Sequence, residues 1–177
     1  MFALLFILII VIVSVRFFIR PAVTEIVLAS DLHEINGEIL PGQSVDAVLP
    51  TTDGKLISFS VFFSTSNRQN DGTLNFAVLE NGEGKYEKQI QINDISDNQY
   101  YDFNDLNLEL SKKNEYEIVI TSNPSRGAVT TWKDTEGKLV GKGKVLAQPG
   151  VFTIIVTIIT YCIISFLLCI MIGFLKK

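Results

Sequence analysis

The sequence predicts an all-β fold, an antiparallel β-sandwich placed between two apolar end segments. Seven or eight short stretches of alternating apolar and polar residues recur between residues 40 and 135, at spacings of about 9 to 16 residues. No segment of helical period lies between them, which favours a sandwich over a fold with a parallel sheet. The remaining apolar residues gather at the two ends of the 177-residue chain. We therefore divide the chain into segments 1–20, 21–148 and 149–177.

The C-terminal segment has the composition of a transmembrane helix. Residues 151–175 form a run of 25 residues without a charge or a proline. At about 1.5 Å per residue, this run is long enough to cross a hydrocarbon layer of about 30 Å. Lys176 and Lys177 follow it, where their ammonium groups would reach the lipid headgroups. The pattern predicts a membrane-spanning helix with a basic end over residues 149–177.

The N-terminal segment is also apolar but shorter. Residues 2–15 carry no charge, and Arg16 and Arg20 follow them. A cleaved signal peptide is the alternative to an uncleaved signal anchor, but no basic residue precedes the run and no small-residue cleavage site follows it. We predict a signal-anchor transmembrane helix over residues 1–20. Two spans place both termini on one side, so we expect a cell-membrane protein with an extracytoplasmic central domain and cytoplasmic termini.

The central segment is acidic and free of cysteine. Residues 21–150 contain 19 acidic and 11 basic side chains, which gives a formal charge of −8. A surface with this charge repels nucleic acid and anionic lipid, so we expect no nucleic-acid partner. Both cysteines, Cys162 and Cys169, lie in the C-terminal apolar run. The central segment therefore has no disulfide and no cysteine-based metal site.

The clearest strand lies at residues 56–64, where apolar residues alternate with serines. Four of them are predicted to face the core: Ile57, Phe59, Val61 and Phe63. The other predicted strands cover residues 44–49, 73–80, 86–93, 106–110, 115–122 and 128–133. Their predicted inward residues are Leu74, Phe76, Val78, Ile90, Ile92, Leu106, Leu108, Leu110, Tyr116, Ile118 and Ile120. Residues 21–43 are expected to begin irregularly, and residues 136–150 to form a basic connector.

Four stretches follow one another in the central segment: QSVDAVLP, ISFSVFFST, GTLNFAVLENGEG and ISDNQYYDFNDLNLELSKKNEYEIVITS. Over residues 40–135 this succession resembles the extracytoplasmic jelly-roll domains between the first two membrane spans of bacterial proteins that assemble surface polysaccharides. Its most recognisable parts are Gly72-Thr73-Leu74, Asp97-Asn98 and residues 111–116. The resemblance implies a galactose-binding-like jelly roll and a setting in glycan assembly. Larger members carry further membrane helices, whose activity is not expected here.

Side chains suited to catalysis are few. His33 is the only histidine, and no G-x-S-x-G motif accompanies it, so we expect a surface histidine and no nucleophilic triad. We predict no catalytic residue, no bound metal and no cofactor, with structural calcium as the one open exception. Four aspartates fall within one short region: Asp94, Asp97, Asp102 and Asp105. We interpret them as a solvated acidic edge, with a glycosidase carboxylate pair as the alternative.

Sugar recognition needs flat aromatic faces and planar polar groups, and the central segment offers both. The candidate ligand-binding residues are Trp132, Tyr100, Tyr101, Asn67, Arg68, Asn98 and Arg126. Trp132 is the only tryptophan, and an aromatic that closes the sandwich is its alternative interpretation. Tyr100 and Tyr101 are adjacent in extended chain, so they point to opposite faces and only one can join the core.

The C-terminal segment also contains small and hydroxyl side chains that suit contact with a second helix. The candidates are Thr153, Thr157, Thr160 and Gly173. The alternative is that lipid tolerates these residues without any helix contact.

These observations favour a membrane-anchored, non-catalytic accessory protein whose outer β-sandwich binds a glycan or a partner protein in bacterial cell-surface polysaccharide assembly. The expected partners are the lipid bilayer, a glycan and a polytopic membrane protein. Two alternatives stay open. One is a detached or truncated N-terminal part of a polytopic glycosyltransferase-like enzyme that acts as an assembly subunit. The other is an independent hydrolase that uses the aspartates of residues 94–105.

Overall fold

The structure is a computed structural model that describes residues 20–147 and 149–174. Except for Arg20, the signal anchor predicted over residues 1–20 lies outside the described residues. The chain divides into two units. Residues 23–147 form one unit, which contains the β-sheets, and residues 1–22 with 148–177 form the other, which contains the C-terminal helix.

The described residues contain ten β-strands, one short 3₁₀ helix (Ile92–Asp94) and one α-helix, α1 (Val151–Phe174). The strands are β1 (Ala22–Ala29), β2 (Glu34–Glu38), β3 (Ser44–Val48), β4 (Gly54–Ser64), β5 (Asp71–Glu80), β6 (Glu83–Gln91), β7 (Gln99–Leu110), β8 (Tyr116–Arg126), β9 (Thr130–Lys133) and β10 (Gly141–Ala147).

Strand β4 is the centre of a six-stranded antiparallel sheet. β7 pairs with one edge of β4 over most of its length. The other edge is shared, because β10 pairs with residues 55–61 and β9 pairs with Phe63 and Ser64. β1 lies beside β10, and β2 lies beside β9. The second sheet has four antiparallel strands in the order β3-β8-β5-β6.

The two sheets pack face to face through one apolar core, which confirms the predicted antiparallel β-sandwich. Phe76 of β5 stacks on Phe103 of β7 with ring centroids 4.0 Å apart, and on Phe59 of β4 at 6.0 Å. All three side chains are fully buried. The predicted inward residues that are confirmed as buried are Phe59, Val61, Phe63, Leu74, Phe76, Val78, Ile90, Ile92, Leu106, Leu110, Tyr116, Ile118 and Ile120.

A bulge in β4 changes which residue at its start faces the core. Leu56 pairs with Val145 of β10 and Ser58 pairs with the adjacent Lys144, so Ile57 is an extra residue in β4. Leu56 is fully buried in the core, whereas Ile57 is half-buried and lies outside it. The prediction that Ile57 faces inward is therefore wrong, because an extra residue in a strand reverses the alternation of its faces.

Strand β7 is longer than the sequence predicts, since it includes the acidic stretch before residue 106. Its inward residues change from Tyr101 and Phe103 to Leu106 and Leu110, that is, from odd to even positions. Asp105, at the change, has a φ of 65°. Leu108 is only partly buried but packs against the core. The irregular alternation explains why this strand resembles a loop in sequence.

The sequence also fails to predict β1, β2 and β10. β10 takes the place of the expected basic connector and pairs with the middle of β4. Its glycines are needed there, because a Cβ atom at Gly143 would lie 3.0 Å from the side chains of Ile26, Leu56 and Phe59. A glycine-rich strand has few side chains to alternate, so its pattern is weak.

Helix α1 begins at Val151 and ends at Phe174, within the C-terminal unit. Most of its described large apolar side chains are exposed. Among residues 20–147 and 149–174, no helix meets the length and hydropathy requirements for crossing a membrane. The membrane span predicted over 149–177 is therefore not found in the described residues, which do not include the last three positions of that segment.

Candidate functional site

Three aromatic side chains lie together on the outer face of the six-stranded sheet. Phe62 of β4 is paired with Tyr100 of β7, and their ring centroids are 5.0 Å apart. The Trp132 ring of β9, which pairs with the other edge of β4, lies 6.3 Å from Phe62. Both contacts are edge-to-face, a favoured geometry for aromatic pairs. We call Tyr100, Phe62 and Trp132 the aromatic row.

Backbone hydrogen bonds through a buried valine connect two residues of the aromatic row, whose rings keep accessible surface. The Phe62 N–H donates to the Val140 carbonyl at 3.1 Å, and the Val140 N–H donates to the Trp132 carbonyl at 2.8 Å. Val140 is fully buried, yet it lies outside the core between the sheets. Tyr100 is 39% exposed, and Phe62 and Trp132 are half-buried. The backbone thus fixes the positions of the rings while part of their surface faces solvent.

The Asp97-Asn98 pair orients Trp132. The indole Nε1–H donates to Asn98 Oδ1 at 3.3 Å, and Asn98 Nδ2 donates to Asp97 Oδ2 at 3.1 Å. Asp97 Oδ1 accepts from the Ser64 hydroxyl at 2.9 Å and from the Thr65 N–H at 2.6 Å. Burial raises the pKa of Asp97. The hydrogen bonds lower it by more than burial raises it, so the pKa lies below its usual value. An ionised Asp97 therefore connects the aromatic row to the end of β4.

Polar groups continue the same face beside the aromatic row. Lys142 Nζ lies 5.2 Å from the Tyr100 ring centroid and 3.4 Å from Glu25 Oε1. The Ser60 hydroxyl donates to Asp102 Oδ1 at 2.5 Å. Because Lys142 and Asp102 both pair with Ser60, opposite charges lie on the two sides of β4.

Tyr101 points away from this site, into the other face of the sheet. Its ring lies 5.0 Å from Phe103 and packs against the core. Burial raises the pKa of Tyr101, and the charge of Asp94 raises it further. Of the two adjacent tyrosines, Tyr100 faces outward and Tyr101 joins the core side.

The two candidate arginines lie in a different place, a cavity of about 340 Å³ at the end of the sandwich. Arg68 forms an ion pair with Glu38 and donates to the Ala128 carbonyl at 3.3 Å. Arg126 pairs with Asp71 at 3.1 Å. Each guanidinium group thus has a carboxylate partner. Asn67, in the exposed loop after β4, does not line this cavity.

The four aspartates of the acidic region are not grouped as a metal site. Asp97 and Asp102 bond to serine hydroxyl groups of β4. Within the described residues, no three His, Cys, Asp or Glu side chains are arranged to hold a metal ion. His33 is exposed, and its backbone N–H donates to the Lys133 carbonyl at 3.0 Å.

Two of the three most recognisable parts of the resemblance, Gly72-Thr73-Leu74 and residues 111–116, have structural roles. Gly72 has a φ of 121°, and a Cβ atom there would lie 2.5 Å from the Asn123 carbonyl oxygen. The Tyr116 hydroxyl donates to Glu80 at 2.6 Å and accepts from the Ser111 N–H at 3.1 Å. These residues maintain the four-stranded sheet and its connection to β7.

In helix α1, two candidate threonines bond to their own helix. The Thr157 hydroxyl donates to the Thr153 carbonyl at 2.7 Å, and the Thr160 hydroxyl donates to the Val156 carbonyl at 2.8 Å. Thr153, Thr160 and Gly173 are exposed. Bonds of this kind satisfy the hydroxyl groups without a partner helix.

Sequence reasoning missed Phe62, Val140 and Lys142 as members of the site. Phe62 alone had a visible signal, since it is the one aromatic residue among the serines of its side of β4. Val140 and Lys142 lie on β10 or just before it, where no strand is predicted, so nothing in the pattern places them beside β4.

Comparison with known proteins finds few matches. No family model matches the chain, and no curated protein matches it. One solved structure, of the T13 IBDV viral particle, matches with 14% identity over 74% of this chain and 36% of that chain, at a TM-score of 0.36. Another, of the infectious bursal disease virus Gt strain, matches with 17% identity over 75% and 33% of the two chains, at 0.34. The chain thus spans about a third of each, and these scores support no functional conclusion.

The resemblance to bacterial polysaccharide-assembly proteins is wrong. No family model matches the chain, and no helix of the described residues qualifies as a flanking membrane span. The strand pattern and the turn residues that suggested it are shared by unrelated β-sandwiches. What the chain has in common with that family is the sandwich architecture.

Proposed function

We propose that this protein is a non-catalytic binding protein whose β-sandwich recognises a glycan through the aromatic row. The observation that carries the proposal is the group formed by Tyr100, Phe62 and Trp132, which brings partly exposed rings together on one sheet face. An exposed group of aromatic side chains on a sheet is costly unless it meets a partner. Sugar rings present C–H faces that stack on such rings.

Polar groups beside the row provide the other half of sugar recognition. Asn98 is exposed and already oriented by Trp132 and Asp97. Lys142 and Asp102 add a donor and an acceptor of opposite charge. Sugar hydroxyl groups both donate and accept, so a face with both kinds of group fits them better than a face of one charge.

The site is open, so we expect weak affinity for a single sugar. A ligand loses translational and rotational entropy when it binds, and the few contacts that an open surface provides offset only part of this free-energy cost. A dissociation constant of about 0.1–1 mM for one saccharide unit follows. Affinity of this size suits a protein that holds a polymer at many points.

The experiment is a titration of the full-length protein in detergent micelles with glycans from an array, followed by tryptophan fluorescence. Trp132 is the only tryptophan, so the signal reports this site alone. Tyr100→Ala should weaken binding by about tenfold or more, and Asn98→Ala by less; both variants keep the tryptophan that gives the signal. Tyr86→Ala, an aromatic deletion on the four-stranded sheet, is the control and should leave binding unchanged. If no glycan produces a saturable change in fluorescence, the proposed glycan binding is contradicted.

We also propose association with membrane lipid through helix α1. The helix carries no charged residue, and its exposed apolar side chains include Ile155, Ile159, Phe166 and Leu167. Neutral lipid vesicles should carry the full-length protein upward in a flotation gradient. The same protein with Ile155, Ile159 and Phe166 changed to Ser should stay at the bottom; flotation of both proteins would contradict lipid binding by α1.

For localisation we propose that the central domain is extracytoplasmic and both termini are cytoplasmic. A cysteine at Glu83 tests this, because Glu83 is the first residue of β6 and its side chain is 81% exposed. A membrane-impermeant thiol reagent should label Glu83→Cys on intact cells. Labelling only after lysis would place the domain inside.

A second candidate function is that of an assembly subunit for a polytopic membrane protein, without any glycan. The exposed apolar side chains of α1 and the exposed Thr153, Thr160 and Gly173 favour it. Co-purification of one defined membrane protein with the full-length chain, abolished by Gly173→Leu and Thr160→Leu, would support this function. Retention of that protein by the double variant would exclude α1 as the contact.

A further inference from the structure

On the same outer face as the aromatic row, small side chains of β4 lie between longer side chains of β7 and β10. We call this strip the trough. Its bottom is formed by two serines that are less than a tenth exposed, Ser58 and Ser60. Longer side chains border it, with Asp102 and Asn104 of β7 on one side and Lys142 and Lys144 of β10 on the other.

The strand register fixes these residues in straight rows. Ser60 pairs with Asp102 and with Lys142, and Ser58 pairs with Asn104 and with Lys144. Residues that are directly opposite each other in antiparallel strands share a face. Since Phe59 and Phe103 point into the core, the residues of both rows point outward. The trough and the aromatic row are therefore consecutive parts of one surface.

The charges in the trough are balanced. Lys142 and Lys144 face Asp102 and the uncharged Asn104, and Glu25 adds a second carboxylate beside Lys142. The central segment as a whole carries a formal charge of −8. A polyanionic ligand would gain no net attraction from the balanced charges of the trough and would be repelled by the acidic central segment. A neutral ligand rich in hydroxyl groups would instead find hydrogen-bond donors on one side of the trough and acceptors on the other.

The length of the trough exceeds one sugar ring. Ser58 and Phe62 are four positions apart on β4, which at about 3.3 Å per residue corresponds to about 13 Å. We propose that the trough binds the units that follow the stacked sugar, so that the ligand is a neutral, linear glycan lying along β4. This inference rests on the proposed glycan binding at the aromatic row and adds the class and direction of the ligand.

The test compares the affinity of the protein for oligosaccharides of different lengths. Neutral linear glucose and N-acetylglucosamine oligosaccharides of one to six units, with matched acidic oligosaccharides, are bound to the full-length protein in detergent micelles. Affinity should rise by about tenfold between one unit and four units, the effect of about two further hydrogen bonds. The acidic series should bind more weakly at every length.

Variants separate the trough from the aromatic row. Asn104→Ala and Lys144→Ala should each reduce the gain from added units to about threefold or less, with unchanged affinity for one unit. Ser58→Tyr, which fills the trough, should remove the gain. Asn75→Ala and Gln89→Ala, amide deletions on paired residues of the other sheet, are the matched controls and should keep it.

The outcomes distinguish the two proposals. Binding of one unit with no gain from longer chains would overturn the trough and leave the aromatic row intact. Preference for acidic chains, or a gain that survives Ser58→Tyr, would overturn it as well. Loss of all binding would overturn the proposed function together with this inference.

Discussion

One carboxylate, Glu80, connects the end of β5 to the segment before β8. Its Oε1 accepts from the Tyr116 hydroxyl at 2.6 Å and from Asn114 Nδ2 at 2.7 Å, and Lys85 lies 3.2 Å from Oε2. The Tyr116 hydrogen bond is the main reason that the pKa of Glu80 lies below its usual value, with smaller contributions from Asn114 and Lys85. Burial raises the pKa of Tyr116, and so does its bond to Glu80. The tyrosine and asparagine of residues 111–116 are thus used for folding, not for a ligand.

The first prediction is the effect of Tyr116→Phe. The residue is 4% exposed, and its hydroxyl group both donates to Glu80 and accepts from the Ser111 N–H. Removal of the hydroxyl group should lower the free energy of unfolding by about 1–2 kcal/mol, since Ser111 loses its acceptor. Urea denaturation measures this change. A variant as stable as the wild type would show that the hydrogen bonds are replaced by water without loss.

The second prediction concerns pH. Because the folded pKa of Glu80 is depressed, its contribution to stability is present above the unfolded pKa of about 4.5 and is lost as pH falls through the folded pKa. The wild type should therefore be less stable at acid pH than at neutral pH. In Glu80→Gln, which cannot titrate, the fall in unfolding free energy should be smaller; an equal fall would show that other carboxyl groups account for all of it.

At the scale of strands, β4 has two faces with different uses. Phe59, Val61 and Phe63 fill the core, and Ser58, Ser60 and Phe62 form the outer surface beside β7 and β10. The alternation that predicts the core also predicts the outer face, as long as the strand is regular. It fails at Leu56 and Ile57, where a bulge shifts the register.

The third prediction compares the two faces of β4. Phe59→Ala should destabilise the protein by about 3–5 kcal/mol, because a fully buried ring leaves a cavity between the sheets. Phe62→Ala should cost less, because Phe62 is half-buried on the outer face, but it should weaken glycan binding. Thermal unfolding and the fluorescence titration measure the two effects. Equal destabilisation by both variants would contradict the assignment of faces.

The fourth prediction concerns the glycines of β10. A Cβ atom at Gly141 would lie 3.0 Å from the Ser60 carbonyl oxygen and from the Phe59 ring. Gly141→Ala should therefore destabilise by about 1–3 kcal/mol. Gly84→Ala is the matched control, since a Cβ atom there meets nothing within 4 Å, and it should leave stability nearly unchanged. If both variants unfold at the same temperature, β10 does not pack tightly on β4.

The sequence predicts the strands in which apolar and polar residues alternate, and it fails to predict the strands in which they do not. Residues 44–49, 56–64, 73–80 and 115–122 alternate, and each overlaps a strand of the structure. β10 is missed because two of its inward positions, Gly141 and Gly143, are glycines, and β2 because all its residues are exposed. The strand β7 is missed in part because its alternation changes phase near Asp105.

The candidate site could be predicted only in part for a related reason. Trp132, Tyr100 and Asn98 lie close together on one face, whereas Arg68 and Arg126 line a separate cavity and Tyr101 faces the core. Alternation tells which face a residue occupies, but not which distant strands become neighbours. The pairing of β4 with β7 on one edge and with β9 and β10 on the other makes the site.

At the scale of the whole molecule, the chain consists of a β-sandwich of residues 23–147 and a second unit that carries the apolar helix α1. The acidic charge of the central segment and the balanced charges of the trough both disfavour nucleic acid as a partner. We propose that a glycan binds the outer face of the six-stranded sheet and not the outer face of the four-stranded sheet.

The most direct test of that claim is amide chemical-shift mapping of the ¹⁵N-labelled full-length protein in detergent micelles, titrated with a neutral linear tetrasaccharide from the array. The account predicts saturable shifts at Phe62, Tyr100, Asn98 and Trp132, with smaller ones along Ser58 and Ser60. Residues of the other outer face, such as Asn75 and Gln89, should not shift. Shifts confined to that other face, or none at a ligand concentration of 10 mM, would contradict the account.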